Sequence, residues 1–372
     1  MKSKQRNKKI IISGGGTGGH IFPAIAIARA LLKLDSQTNI LFVGASGRME
    51  MEKVPAAGFE IKGLPVSGFN RKLTINNIKV LINLLKSIRR AKSIISRFKP
   101  DVVVGTGGYV SGPVLYAANK KNIPTLIQEQ NSYPGITNKL LAKGANKICV
   151  AYVGLEKYFP PEKILLTGNP IREDLEITPQ NKSEGLSEFK LDPKKKTILI
   201  LGGSLGARTI NQAVEANILD LKSSDIQVLW QCGKLYHESA KESMEKNGRP
   251  RNIVLCDFIF RMDLAYAVSD LVISRAGAGT ISELCVTARP SILVPSPNVA
   301  EDHQTKNAMA LVKNDATLLV RDVEAEIKLI PAALELIEND NKLKIYSENI
   351  KKLAIHNSAE LIANEVIKLC AI

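Results

Sequence analysis

The chain has little with which to hold a metal, a disulfide or a membrane span. Its five cysteines, Cys149, Cys232, Cys256, Cys285 and Cys370, are scattered and never form a Cys-x-x-Cys pair. That argues against a disulfide framework or a zinc site and points to thiols kept reduced. No Asp-x-Asp pair occurs, so metal-assisted diphosphate binding is not indicated; neither a metal nor a cofactor is expected. No apolar stretch approaches the ~18–20 residues of a membrane helix. The apolar run before Ser13 is three residues long, too short for a signal peptide, so a cytosolic chain is expected. No Gly-Lys-Ser/Thr follows a glycine loop, which excludes a Walker A site. Acidic residues are missing altogether between Glu60 and Asp101.

In that same stretch stand ten cations, among them Lys79, Lys86, Arg89, Arg90, Lys92 and Arg97. Ile75, Ile78, Leu81, Ile82, Leu84, Leu85, Ile88, Ile94 and Ile95 interleave at helical spacing. Two readings stay open: a helix docked by its apolar face on an anionic bilayer surface, or a packed helix with a solvated basic face. The net charge of +15 also invites nucleic acid. Only Phe69 and Phe98 offer stacking rings here, and no nucleic-acid partner is expected.

At 372 residues, 45% of them hydrophobic and 23% charged, the chain has the size and composition of a two-domain globular protein. Two similar units lie about half a chain apart. Ile10-Ile11-Ile12-Ser13 runs into Gly14-Gly15-Gly16-Thr17-Gly18-Gly19-His20, and Ile198-Leu199-Ile200-Leu201 into Gly202-Gly203-Ser204-Leu205-Gly206-Ala207-Arg208. A β-branched apolar run reads as a buried parallel strand. Glycines permit close backbone approach, and the helix that follows turns free N–H groups toward an anion.

Around these units strands and helices alternate. Strands are predicted at 10–13, 40–43, 102–105, 125–128 and 147–150 in the first half. In the second half they are predicted at 197–201, 227–231, 253–255, 271–274, 291–294 and 317–320. Helices are predicted at 24–33, 75–99, 113–122 and 136–142, with long helical patterns beyond Glu324. This is an α/β protein of two Rossmann-like domains with parallel sheets, and a cleft between the two domains is expected.

Gly14-x-Gly16-x-x-Gly19 fits the dinucleotide fingerprint, but the second strand ends in Gly44 rather than a ribose-binding carboxylate, which argues against NAD. His20, where this loop meets its helix, is either a packed structural residue or a proton acceptor. A second glycine turn, Gly105 to Pro113, and the polar strand end Gln128-Glu129-Gln130-Asn131 should lie at carboxyl ends of strands, where ligands bind. In the second half, Ser274 to Glu283 forms a small-residue helix entry from about Thr280. Glu283, placed in its first turn, either caps the helix or accepts sugar hydroxyls. Gln304 and Asn307 carry the mixed donors and acceptors that suit a sugar, and Arg172 or Arg208 would neutralise a diphosphate.

Taken in order, Gly14–Pro23, Gly107–Pro113, Glu129-Gln130-Asn131, Gly202–Arg208, Ser274–Glu283 and Asp302–Ala308 resemble the motifs of the MurG family. These are the N-acetylglucosaminyltransferases that make the lipid-linked peptidoglycan precursor. The resemblance covers nearly the whole chain, and it implies the GT-B fold with two Rossmann-like domains facing across a cleft. It implies an acceptor and membrane-facing domain over residues 1–169, joined by a C-terminal helix at about 356–372. A UDP-sugar domain would occupy residues 170–355.

The activity implied is inverting, metal-independent transfer from UDP-N-acetylglucosamine to undecaprenyl-diphospho-N-acetylmuramoyl-pentapeptide, at the cytoplasmic face of the bacterial cell membrane. By the same resemblance, Thr17, Gly18, Gly19, Asn131, Arg172 and Ser204 match donor contacts. Ile259 matches the backbone position that reads uracil. Ala278, Gly279, Thr280, Ile281, Ser282 and Glu283 match the helix whose glutamate holds the ribose, and Gln304 matches a reader of the sugar hydroxyls. Gly16, Tyr109 and Glu129 match the acceptor side. His20 is the candidate base with Glu129 as competitor, and Ile75, Leu81, Ile82 and Leu85 are the candidate membrane contacts. Gln128 and Ala276 depart from the pattern, where many members have His and Ser. The alternative is another GT-B enzyme, such as a glycolipid synthase or a UDP-sugar epimerase.

Overall fold

The computed structural model describes residues 6–66, 76–172, 175–203 and 206–371. The chain forms two compact units: Met1–Ile171 with His356–Ile372, and Arg172–Ile355.

In the first unit the elements run β1 (Lys9–Gly14), α1 (Gly18–Leu34), β2 (Asn39–Ala45), α2 (Glu50–Ala56), β3 (Glu60–Leu64) and α3 (Asn76–Phe98). They continue with β4 (Val102–Gly107), α4 (Ser111–Asn119), β5 (Thr125–Glu129), α5 (Ile136–Leu141), β6 (Lys147–Val150) and β7 (Ile164–Leu166). The seven strands pair in the order β3-β2-β1-β4-β5-β6-β7, all parallel. Successive side chains of a strand face opposite ways, so β1 feeds two cores. Ile10 and Ile12 pack with α1, while Ile11 packs with Ala91, Ile95 and Val114 on the other face. The C-terminal helix, labelled α15 below, adds Ile362, Ala363 and Val366 to the α1 side.

The second unit runs α6 (Pro179–Glu188), β8 (Thr197–Leu201), α7 (Arg208–Ala216), α8 (Ile218–Ser223), β9 (Gln227–Gln231), α9 (His237–Lys246) and β10 (Ile253–Cys256). It continues with α10 (Met262–Val268), β11 (Leu271–Ser274), α11 (Ala278–Thr287), β12 (Ser291–Leu293), α12 (His303–Val312), β13 (Leu318–Leu319), α13 (Ala325–Glu338) and α14 (Asp340–Lys351). The chain then returns to the first unit as α15 (Ser358–Leu369). The sheet order is β10-β9-β8-β11-β12-β13. Trp230 on β9 is fully buried and donates its indole N–H to Asn211 Oδ1 at 3.1 Å.

Both sheets therefore reverse direction at their first strand, between β1 and β4 and between β8 and β11. Ligands bind at such a switch point, beyond the carboxyl ends of the strands. Every glycine loop singled out from the sequence follows one of these four strands.

Two strands, β3 and β7, were not expected; both flank the first sheet, with Glu60 and Lys62 of β3 and Leu165 and Leu166 of β7 exposed. Helix α1 begins at Gly18 rather than Ala24. Burial of Ile21, Ala24, Ile25 and Ala28 outweighs the poor helix propensity of Gly18, Gly19 and Pro23. The earlier start matters, because it puts His20 in the helix's first turn. No helix among the described residues is long and apolar enough to cross a membrane.

Candidate active site

The β1–α1 loop is held from both sides by buried groups. From below, Glu50 of α2 is fully buried; its Oε1 accepts from Ala45 N at 2.9 Å and its Oε2 from Gly16 N at 3.1 Å. A Cβ at Gly15 would stand 2.0 Å from Glu50 Oε1, so only glycine fits there. From the β4 side, the Thr106 hydroxyl donates to His20 O at 2.8 Å.

His20 itself is half-buried. Its Nδ1 lies 3.0 Å from Gly15 O and 3.2 Å from Thr17 Oγ1. A carbonyl oxygen only accepts, so Nδ1 carries the hydrogen and the neutral ring keeps its lone pair on Nε2. That nitrogen faces Gly107, whose φ is +103° and where a Cβ would come within 3.0 Å of Nε2 and 2.7 Å of Cδ2. A half-buried imidazole with one nitrogen fixed and the other carrying a lone pair is a proton acceptor in form. Tyr109, two residues after Gly107, is exposed at the β4–α4 turn.

Glu129 does not join this arrangement. It is 1% exposed, and its carboxylate accepts from Asn131 N at 3.0 Å, Asn131 Nδ2 at 3.2 Å, Gly135 N at 3.1 Å and Asn138 Nδ2 at 2.8 Å. Burial pushes its carboxyl above the ordinary range, opposed by these N–H donors. A strand-end carboxylate expected to face a substrate thus turns inward and ties down the loop through Asn138. This geometry removes the support for Glu129 as a competing base and leaves Asn131 oriented by it. Glu129→Ala would strand those donors, at a cost of about 3 kcal/mol. A thermal unfolding midpoint lower by several degrees is expected; an unchanged midpoint with abolished turnover would return Glu129 to the reaction.

The second unit gathers the other candidates. Glu283 lies in the second turn of α11 rather than the first, since the helix starts at Ala278, and it does not cap the helix. Instead Oε2 accepts from the Tyr266 hydroxyl at 3.0 Å, and Oε1 stands 3.3 Å from Arg172 Nε. Tyr266 is fully buried; burial, with the Glu283 carboxylate beside it, pushes its phenol well above the usual range, so it remains a donor. The first turn of α11 points backbone N–H groups out of the helix, and a Cβ on Gly279 would meet nothing within 4 Å.

Gln304 Oε1 accepts from Ser296 N at 2.8 Å, and Asn307 is buried. Glu301 and Asp302, just before α12, both adopt left-handed backbone with φ of 56° and 51°, strain of the kind found at functional loops. Ile259 N donates to Gln231 Oε1 at 2.9 Å. Arg275 is structural: it donates to Val294 O at 3.1 Å and pairs with Asp322. Ser204 and Ile75 lie outside the described residues. Sequence reasoning passed over Glu50 and Tyr266, because neither stands in a motif and only the fold shows them buried against the loops. Among the described residues no group of three or more His, Cys, Asp or Glu is arranged to hold a metal ion.

Two parallel sheets with glycine loops and a carboxylate-bearing helix at their switch points are the architecture of a nucleotide-sugar enzyme. Residues 10–150 match the glycosyltransferase family 28 N-terminal domain, and residues 197–365 the glycosyltransferase family 28 C-terminal domain. The chain is 56% identical over 364 residues to a protein of Parabacteroides distasonis, covering 98% of this chain and 99% of that one. It is 57% identical over 366 residues to one of Bacteroides thetaiotaomicron, covering 98% of each. Both are named UDP-N-acetylglucosamine--N-acetylmuramyl-(pentapeptide) pyrophosphoryl-undecaprenol N-acetylglucosamine transferase. The crystal structure of Acinetobacter baumannii MurG superposes with a TM-score of 0.78 at 27% identity, covering 97% of this chain and 99% of that one. The chain belongs to the MurG family, and its two sheets are those of the GT-B fold.

Proposed function

We infer that this chain moves N-acetylglucosamine from UDP-N-acetylglucosamine to the position-4 hydroxyl of undecaprenyl-diphospho-N-acetylmuramoyl-pentapeptide, turning lipid I into lipid II in peptidoglycan synthesis. The observation that carries this is identity above 50% along essentially the whole chain with transferases of that name. In the reaction, the acceptor oxygen bonds to C1 of the sugar as the bond from C1 to the β-phosphate oxygen breaks. His20 Nε2 takes the acceptor's proton, and UDP leaves with the bonding electron pair. One displacement inverts the anomeric centre.

On the second unit, Glu283 accepts from the ribose hydroxyls, the Ile259 carbonyl reads the uracil, and Gln304 reads the sugar. Arg172 and the N–H groups at the start of α11 stabilise the departing diphosphate. Arg172 exchanges Glu283 for the diphosphate when donor binds. The test is release of UDP from UDP-N-acetylglucosamine on addition of the lipid-linked acceptor. Conversion of the donor to an epimer without acceptor would favour the alternative.

The acceptor's polyprenyl tail stays in the bilayer, so the enzyme works at the cytoplasmic membrane surface. Helix α3 supports this: Leu81, Ile82 and Leu85 are 53%, 46% and 52% exposed, on a helix with six Lys or Arg and no acidic residue. Its core side is Val80, Ala91, Ile94 and Ile95, which leaves these three apolar side chains for another phase. Replacing all three by serine is expected to lower binding to anionic liposomes about 10-fold or more, since each buried leucine-sized side chain contributes up to ~1.5–3 kcal/mol. Co-sedimentation unaffected by the replacements would dissociate α3 from the membrane.

A further inference from the structure

The peptide bond between Gly15 and Gly16 is hydrogen-bonded at both ends. Its N–H, that of Gly16, donates to the Glu50 carboxylate at 3.1 Å from Oε2 and 3.3 Å from Oε1. Its carbonyl, that of Gly15, accepts from His20 Nδ1 at 3.0 Å. A carboxylate, one planar amide and an imidazole thus stand in a line, each donor meeting an acceptor. The carboxylate has no room to do anything else. It is fully buried, its Oε1 also accepts from Ala45 N, and the Cβ positions of Gly15 and Gly44 would clash with it. Burying a carboxylate is costly, and an apolar residue on α2 would serve packing better.

We propose that Glu50 is a positioning residue for His20: through the Gly15–Gly16 peptide it holds the Nδ1–H tautomer and makes Nε2 the proton acceptor. The relay does what a carboxylate bonded directly to Nδ1 does in a hydrolytic triad, with one amide interposed. Polarising the amide strengthens its carbonyl as an acceptor, and the negative charge behind it stabilises the imidazolium that forms when the acceptor's proton arrives.

The other charged groups on elements packed against α1 are accounted for. On α2, Glu52 and Lys53 are exposed. On α15, Glu360 pairs with Lys33 and Glu365 with Lys368. Lys9 lies at the far end of β1, β4 carries no charge, and Tyr109 in the β4–α4 turn is exposed.

The inference rests on His20 being the base, and the experiment separates the two. The direct measurement uses the wild-type chain, labelled with ¹⁵N in its four histidines. The His20 resonances, assigned by their loss in His20→Ala, are expected to show a protonated Nδ1 and an unprotonated Nε2; the opposite tautomer would overturn the relay. In Glu50→Gln the carboxylate's charge is gone. Its acid limb in the pH profile of kcat/KM is expected to move down by about half to one pH unit. The sign follows because the active base is the neutral ring, and losing the negative charge makes that ring harder to protonate. Turnover falls roughly 10- to 100-fold with the KM for UDP-N-acetylglucosamine unchanged. A limb that stays in place, in a variant that still binds donor, would overturn the proposal. If His20→Ala keeps full turnover, it is the base assignment that fails, and the resonances of the wild type still report whether Glu50 and the peptide fix the tautomer.

Discussion

Turnover falls about 10²–10⁴-fold when His20 is replaced by alanine, the usual contribution of a general base, while calorimetric affinity for UDP-N-acetylglucosamine stays within about twofold. Two features make the prediction specific. The ring is oriented by Gly15 O at Nδ1, so it is not one of several rotamers. The uracil and ribose are assigned to residues of the second unit, which the replacement does not touch; of the first-unit donor candidates, Thr17 loses its contact with Nδ1. A variant that loses donor affinity together with turnover would show His20 to be a binding residue. One that loses neither would remove it from the site. The thermal midpoint is the control, and it should barely move, because the side chain is half-buried and its main-chain anchor, the Thr106 bond to His20 O, survives.

Glu283→Ala has the second large effect, and it falls on binding. The carboxylate can accept four hydrogen bonds. The Tyr266 hydroxyl and Arg172 are among its partners, and the ribose hydroxyls are assigned to the same carboxylate. Hydrogen bonds to a charged group contribute about 1.5–3 kcal/mol each, so loss of the ribose contacts should weaken UDP-N-acetylglucosamine binding about 10²-fold. Stability should fall as well. The buried Tyr266 phenol stays protonated, since burial and the neighbouring carboxylate hold it so, and without Glu283 it loses its acceptor. Donor affinity within about twofold of the wild type would detach α11 from the nucleotide.

The strands were legible where burial on both faces leaves an uninterrupted apolar run. Ile10-Ile11-Ile12, Val102-Val103-Val104 and Ile198–Leu201 could be read directly, and the glycines after them marked the strand ends. Strand β3 was not legible, because Glu60 and Lys62 break its apolar pattern where one face meets solvent; β7 is only three residues long. The start of α1 was hidden by Gly18, Gly19 and Pro23, whose propensities oppose a helix that tertiary packing nevertheless imposes.

The candidate site was legible where its residues stand in a motif. His20, Arg172, Glu283 and Gln304 all stand in recognisable surroundings, but that Arg172 and Glu283 touch could not be read from residues so far apart in sequence. Glu50, Tyr266 and Asn138 were invisible for a different reason. Each is a single polar residue whose importance comes from being buried beside a loop, and sequence does not show which way a side chain turns. The inward turn of Glu129 was hidden on the same account. Its position at a strand end suggested a ligand, whereas its carboxylate accepts from four N–H groups of the chain.

The anomeric configuration of the product tests most directly whether transfer is a single displacement assisted by one base. The donor's sugar is α-linked to its diphosphate. Proton NMR of the disaccharide released from the lipid product should show the β linkage, with the large coupling between H1 and H2 that two axial protons give. An α-linked product would mean two successive displacements or front-side attack, and would contradict the account.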